Sequence, residues 1–506
     1  MAAVGPGSEG DTAADTSQAR TPGSPAAHDL TTQTSKGMLW TTLSFLITRG
    51  SGFVVSVVLA RILGPSEFGL VAAALVIVTF TEVALDLGVG AFLIYEQEEG
   101  QSRRVHTAFT LNVIVGSVVT AVLVVAAPAI SEFFKADDVA IFRAIALLVV
   151  LRSLVQIPNA LFKRDMLFSL RTAVDLTRGV LRIAVAVVLG LAGYGAWALV
   201  WALMAAEIAG TVMTWALLRF RPTLAFDTAF LRQMWGYSAS VLGVGVLGEV
   251  ALNADYFVVA NRLGQEQLGV YFVAFRIPQM AMLQVYNVFA QVTFPAYSRA
   301  REMGSANLRR GALRGMKLLF LYAAPVGTTL ALLSRDLLNE VFDTKWAAAE
   351  GPMMIISIAG IFVSLGYASG EIYNAIGRPQ IVFKLTVVMV PILIAALVYA
   401  APHGLNAVAM VHLVVAAAYS LVRLALAARL LGLSLVENLR ALSPGLATAM
   451  GVALLGTPVR LLTPGGWLSL AAIAAACGLG GLIALTLTDR SAFGEIADLA
   501  RRATFR

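Results

Sequence analysis

The sequence predicts an all-α polytopic membrane protein of about fourteen spanning helices, arranged as two like-oriented six-helix bundles followed by one further helix pair. Three observations carry this expectation. Of 506 residues, 58% are hydrophobic and only 13% charged, whereas a water-soluble domain carries about 25% charged residues. The apolar residues fall into runs of about 20 or more, the length that crosses a bilayer. Finally, a short polar turn between two such runs occurs twice. Ala60-Arg61-Ile62-Leu63-Gly64-Pro65-Ser66-Glu67-Phe68-Gly69 returns 200 positions later as Ala260-Asn261-Arg262-Leu263-Gly264-Gln265-Glu266-Gln267-Leu268-Gly269. Two matching turns in register point to one helix-turn-helix unit used twice in the same orientation.

In chain order, residues 1–36 are rich in Ala, Gly, Ser, Thr, Pro and Asp and are expected to form a disordered cytoplasmic tail. They lack the basic start, apolar centre and cleavage site of a signal peptide, so the first helix is expected to remain as an anchor. Helices are predicted near Gly37 to Ala60, Phe68 to Ile94, His106 to Ile130, Val139 to Leu161, Thr172 to Leu191 and Gly195 to Leu218. The second set runs near Gly236 to Ala260, Leu268 to Ala296, Arg314 to Leu333, Ala347 to Ile376, Ile381 to Ala401 and Gly404 to Leu430. These runs define an N-terminal bundle over 37–219 and a C-terminal bundle over 236–430. Two additional helices follow within 442–487, and 488–506 forms a second cytoplasmic tail. A weaker echo, Gly195-Ala196-Trp197-Ala198 against Gly404-Leu405-Asn406-Ala407, opens the last helix of each bundle.

The net charge of +7 reads as topology and not as a nucleic-acid footprint. With both termini inside, the inner segments collect Arg103, Arg104, Lys163, Arg164, Arg219, Arg221, Arg299, Arg301, Arg309, Arg310 and Arg314 among others, while the outer loops hold few basic residues. That excess follows the positive-inside rule and places both termini in the cytoplasm; the same surface attracts anionic membrane lipids. Cys477 is the only cysteine, which excludes an internal disulfide and a cysteine-based metal cluster, and the four histidines are too scattered to resemble ligands. No catalytic residues, metal site or cofactor are expected. There is no Walker lysine loop, Gly-x-Ser-x-Gly elbow or His-Glu-x-x-His, and no inner loop is long enough for a catalytic domain.

An ionisable side chain at mid-membrane costs roughly 2.5–3.5 kcal/mol on insertion scales, so each one here needs an interior to face. Arg49, midway along the first helix, is matched at the repeat offset by Glu249 in the seventh. One reading has the two lining a central hydrated cavity, Arg49 attracting an anionic substrate group; the other makes them a buried structural pair. Glu82 and Asp86 lie four apart on one helix face, which suits an ion relay and equally suits two wet acids at the inner end. Glu207 either pairs with Arg143, Arg152 or Arg182 or faces substrate, and Arg276 is a second candidate for phosphate. Asn253 and Asp255, just before the second turn, are expected to hydrogen-bond or cap locally. Pro278, Pro295, Pro325, Pro352 and Pro391 are candidate kink sites.

The run Leu59 to Gly69 with Leu85-Asp86-Leu87-Gly88, then Arg164-Asp165-Met166-Leu167-Phe168, Asn253-Ala254-Asp255, Leu263-Gly264 through Gly269-Val270-Tyr271, Arg276 and Phe294-Pro295-Ala296-Tyr297-Ser298, together form a pattern. In this combination the chain resembles the polysaccharide-transporter family of flippases, the WzxC-like branch of the multidrug/oligosaccharidyl-lipid/polysaccharide superfamily, over about Gly37 to Leu430. The resemblance implies two six-helix bundles forming a V that opens alternately to either side of a bacterial inner membrane. It implies as substrate an undecaprenyl-pyrophosphate-linked oligosaccharide, moved for capsule, exopolysaccharide, O-antigen or teichuronic-type polymer assembly, with polysaccharide polymerase or export machinery as partners. In the related lipid II flippases the last two helices form a groove for the lipid tail. The alternatives are a cation-coupled drug antiporter of the same fold, which needs a more acidic cavity, and a membrane glycosyltransferase or polymerase, which needs a large extramembrane loop.

Overall fold

The computed structural model describes residues 25–85, 102–223 and 226–489. Expectations that fall on other residues, including Asp86 and most of both tails, lie outside the described residues. The first bundle comprises α1 (Pro25–Ile62), α2 (Pro65–Leu85), α3 (Ser102–Phe133), α4 (Val139–Arg164), α5 (Phe168–Leu191) and α6 (Trp197–Leu218). The second comprises α7 (Thr228–Leu263), α8 (Gln265–Glu302), α9 (Ser305–Phe342), α10 (Glu350–Ala375), α11 (Gln380–Ala400) and α12 (Leu405–Leu431). A final pair, α13 (Leu435–Leu462) and α14 (Trp467–Thr488), follows. No strand occurs among the described residues.

One boundary is corrected. The first helix begins at Pro25 and not near Gly37, so part of the stretch expected to be disordered is helical. Pro25 has no amide hydrogen to lose at a first helical position, and the Ala, Leu and Gln that follow tolerate a helix running past the apolar segment.

Both halves use the same pairwise packing. In the first bundle α1 packs on α5, α5 on α6, α3 on α4, α4 on α6 and α2 on α4; the second repeats this as α7 on α11, α11 on α12, α9 on α10, α10 on α12 and α8 on α10. The halves meet along α2, which lies against α7 and α8. The final pair attaches mainly through α9, with Arg460 of α13 also paired to Glu350 of α10 at 2.7 Å, and Gly451 and Gly480 allow backbone-to-backbone contact between α13 and α14: a Cβ on Gly480 would lie 2.1 Å from the Gly451 carbonyl. Val118, Val122 and Val125 on α3 and Leu468, Leu479 and Leu487 on α14 are exposed, as expected where hydrocarbon is the solvent.

Eleven helices among the described residues are long and apolar enough to cross a membrane. The three outside that set are α1, α5 and α7, which carry Arg49, the cluster Arg171, Asp175, Arg178 and Arg182, and the acids Glu249 and Asp255.

Pro278 ends regular α-geometry in α8, and a π-helical turn follows at Gln279–Leu283 before the helix resumes. A π-turn widens the helix by one residue and commonly marks a functional bend. A second one, Leu338–Phe342, closes α9.

Candidate functional site

Four features surround the seam between the bundles. The first is the repeated turn. Gly69 on α2 and Gly269 on α8 lie against each other's helices: a Cβ on Gly69 would sit 1.8 Å from the Gln265 carbonyl oxygen, and one on Gly269 would sit 2.1 Å from that of Pro65. Only glycine lets two helix starts cross this closely. Around the crossing, Trp346 Nε1 donates to the Ala60 carbonyl at 2.9 Å, Lys345 Nζ to Arg61 O at 2.8 Å, and Arg61 Nε to Val341 O at 2.9 Å. The Arg61 Nη2 also donates to the Glu340 carbonyl, and Asn261 Nδ2 donates to Phe133 O at 3.2 Å. Leu63 and Leu263 belong to the one apolar core that spans both bundles here, with Phe68 edge-on to Trp346 at 5.3 Å. At this face the halves are sealed.

The second feature is a charged stripe. Arg171, Asp175, Arg178 and Arg182 recur on α5 at helical spacing and share a face turned inward. Glu207, buried on α6, stands between two arginines: Arg152 Nε at 3.2 Å from Oε1 and Arg178 Nη2 at 3.7 Å from Oε2. Arg152 also pairs with Glu82, whose side chain is half exposed. The Arg178 guanidinium lies on Gly210, where a Cβ would come 1.9 Å from Nε. Of the expected partners Arg143, Arg152 and Arg182, then, Arg152 makes the pair with Glu207, and Arg178 supplies the second contact. The i, i+4, i+7, i+11 spacing of the α5 charges was the available sequence signal for that role.

The third feature is a group of arginines. Arg276 on α8 rests beside Gly52 of α1 and over the Phe272 ring at 5.7 Å, within electrostatic reach of Arg49 and Arg182. The Nε atoms of Arg182 and Arg276 are buried without a hydrogen-bond partner among the described residues. Glu249 accepts a 2.8 Å hydrogen bond from Asn253 Nδ2 and has Glu82 as its charged neighbour.

The fourth feature lies inside the second bundle. A cavity of about 380 Å³ runs between α7, α8, α10, α11 and α12, past the π-turn, and is lined mainly by apolar side chains. His412 and Arg423, both on α12, are its basic lining residues. Beside it Asp255 is fully buried and is not a cap: Tyr271 Oη donates to its Oδ2 at 2.9 Å, and His412 Nε2 lies 3.1 Å from the same oxygen. Position near the turn suggested a local role for Asp255; its partners come instead from the next helix and from α12.

The arrangement has known counterparts. A family model described as polysaccharide biosynthesis protein matches residues 58–351. The chain is 24% identical over 362 residues to the teichuronic acid biosynthesis protein TuaB of Bacillus subtilis, covering 70% of this chain and 74% of that one. It is 24% identical over 385 residues to the succinoglycan biosynthesis transport protein ExoT of Rhizobium meliloti (76% and 77%), and 23% identical over 377 residues to the lipopolysaccharide biosynthesis protein WzxC of Escherichia coli (72% and 75%). Among solved structures, the lipid II flippase MurJ in an inward closed conformation superimposes with a TM-score of 0.72 at 13% identity, over 90% of this chain and 100% of that one. An inward-facing multidrug resistance MATE transporter gives 0.64 at 13% identity, over 78% and 98%. With two bundles in parallel repeat, a sealed glycine crossing and a family match over more than half its length, the chain belongs to the polysaccharide biosynthesis protein family.

Proposed function

We propose that the protein is a flippase that moves an undecaprenyl-pyrophosphate-linked oligosaccharide across the cytoplasmic membrane by alternating access, with both termini in the cytoplasm and the turn face outward. The observation that carries this reading is the convergence of Arg276, Arg182 and Arg49 at the seam, behind the sealed turn face, with two guanidinium Nε atoms left without hydrogen-bond partners among the described residues. Buried arginine donors without partners are costly unless an anion visits them. A pyrophosphate presents matching acceptors to the guanidinium fork, and binding there replaces part of its lost hydration. The Arg152, Glu207 and Arg178 network holds the α5 stripe in place so that Arg182 stays aimed at the seam. The chain's own part is to bind and reorient; no bond is made or broken. The relatives named for teichuronic acid, succinoglycan and lipopolysaccharide pathways support a polymer precursor as cargo.

A cationic drug is disfavoured beside Arg276, because Arg49 and Arg182 lie within its electrostatic reach and add to the positive charge there. The test is leaflet translocation of defined undecaprenyl-pyrophosphate glycans in liposomes containing this protein alone, with and without an imposed ion gradient. Translocation that falls at least tenfold in Arg276→Ala and Arg182→Ala supports the reading. Absence of translocation for every glycan tested, with uptake or efflux of cationic drugs instead, overturns it.

A further inference from the structure

Of the two acids expected to couple ions, Glu82 is paired with Arg152 and Asp86 lies outside the described residues. Another carboxylate is better placed. Asp255 has no exposed surface, and its Oδ1 has no hydrogen-bond partner among the described residues. At its other oxygen stand the Tyr271 hydroxyl, which is neutral, and His412, whose Nε2 is at ion-pair distance but not in line for a hydrogen bond. No lysine or arginine makes an ion pair with Asp255 among the described residues. A buried carboxylate normally keeps its charge beside a permanent cation. Here the facing group is an imidazole, the side-chain type most readily switched between neutral and charged, and it lines a cavity.

The position is as telling as the chemistry. Tyr271 lies two residues beyond Gly269, the glycine that crosses α2, and Asp255 lies on α7 just before the turn that leads into α8. The pair therefore ties α7, α8 and α12 together directly behind the crossing. We propose that Asp255 and His412 form a proton-operated latch on the turn-face gate: with His412 protonated, the pair is neutral as a whole and holds α8 against α2; loss of the proton leaves an uncompensated buried carboxylate, which favours the open gate. The proton moves between His412 Nε2 and the water of the cavity, and no covalent bond changes. Sodium is a poor fit, because it prefers oxygen donors and one carboxylate, one phenol and an imidazole nitrogen do not supply a shell.

Other titratable groups surround the pair. From α7 come Tyr256 and, further along, Glu249, with Glu82 of α2 near the latter. From α8 comes Arg276, within electrostatic reach of Tyr256. On α12, Tyr419 and Arg423 lie further along the cavity, roughly 10 Å and roughly 16 Å from His412 at about 1.5 Å per residue. From α10 comes Tyr367, and α11 contributes no ionisable lining residue. Of these, His412 is the one that is an imidazole.

Calling the turn face outward rests on the function proposed above; the latch itself does not. The test uses full-length protein in nanodiscs without glycan, with Cys477→Ser and spin labels introduced through Ser66→Cys and Gln265→Cys, whose side chains approach to 3.5 Å across the crossing. The long-distance population is expected to rise at least threefold from about pH 5 to about pH 8, and this response is expected to vanish in Asp255→Asn and in His412→Gln. A response that survives in either folded variant, is absent from the parent, or runs in the opposite direction overturns the latch. If Asp255→Asn does not fold, His412→Gln decides alone. Glycan translocation in liposomes separates the two proposals: translocation without a pH-responsive gate removes the latch and keeps the flippase, and a responsive gate without translocation does the reverse.

Discussion

The two bundles pack alike and are filled differently. In the first, the place enclosed by α4, α5 and α6 is crowded with opposed charges, Arg152 and Arg178 about Glu207. In the second, the place enclosed by α10, α11 and α12 is an apolar cavity with one buried acid-imidazole pair beside it. A repeat therefore fixes helix-to-helix contact without fixing what lies within. Backbone approach is set by small residues at crossings, which both halves keep, whereas interior side chains answer only to local neighbours and diverge: one half is filled with paired charges, the other is hollow.

That contrast can be broken at several points. Removing the shared anion with Glu207→Ala leaves Arg152 with Glu82 and Arg178 with Asp175 as their remaining partners and is expected to cost about 3 kcal/mol, the lower end of the range for a broken buried pair, read as a lowered midpoint in detergent unfolding; a change below about 1 kcal/mol would show that the first bundle is not charge-clamped. At the crossing, Gly69→Ala and Gly269→Ala each force a Cβ into the opposite helix's carbonyl. Each is expected to cost about 3 kcal/mol, the upper part of the overpacking range, and together less than the sum, because one separation relieves both clashes. The two turns are not equivalent, and this sharpens the comparison. Gly264 has φ +89° while Gly64 is not among the positive-φ residues and has open space around its Cβ position. Gly264→Ala is expected to cost about 1–3 kcal/mol and Gly64→Ala close to nothing, measured by the same unfolding midpoints.

The smallest effect lies on the appended pair. Glu437 completes a capping box at the start of α13, accepting from the Ser434 backbone and hydroxyl and from Arg309. Ser434→Ala is expected to cost about 0.5–1 kcal/mol, read by the same unfolding midpoints; no change would remove the cap from the account.

Much of the fold was legible because membrane helices announce themselves by length and apolarity, and because the Leu-Gly turn repeats at a fixed offset. The helices α1, α5 and α7, which carry more polar residues, were still legible as apolar runs of about 20 residues. The pairings were not legible. Glu207 meets Arg178 because Gly210 leaves room for the guanidinium, a fact about a neighbouring helix face. Asp255 reads locally as a polar residue beside a turn, and nothing in its own segment points to His412, which a different hairpin brings to 3.1 Å. Scattered histidines exclude a metal motif; they do not exclude a single long-range partner.

The π-turn at Gln279–Leu283 divides α8 so that Gly269 and Arg276 ride on the same upper segment, Gln265–Pro278, seven residues apart along one rod. Any swing of that rod about the bulge must carry both. Unsealing the membrane barrier and withdrawing a positive hand from the cargo would then be a single stroke, so the protein needs no separate signal to let go.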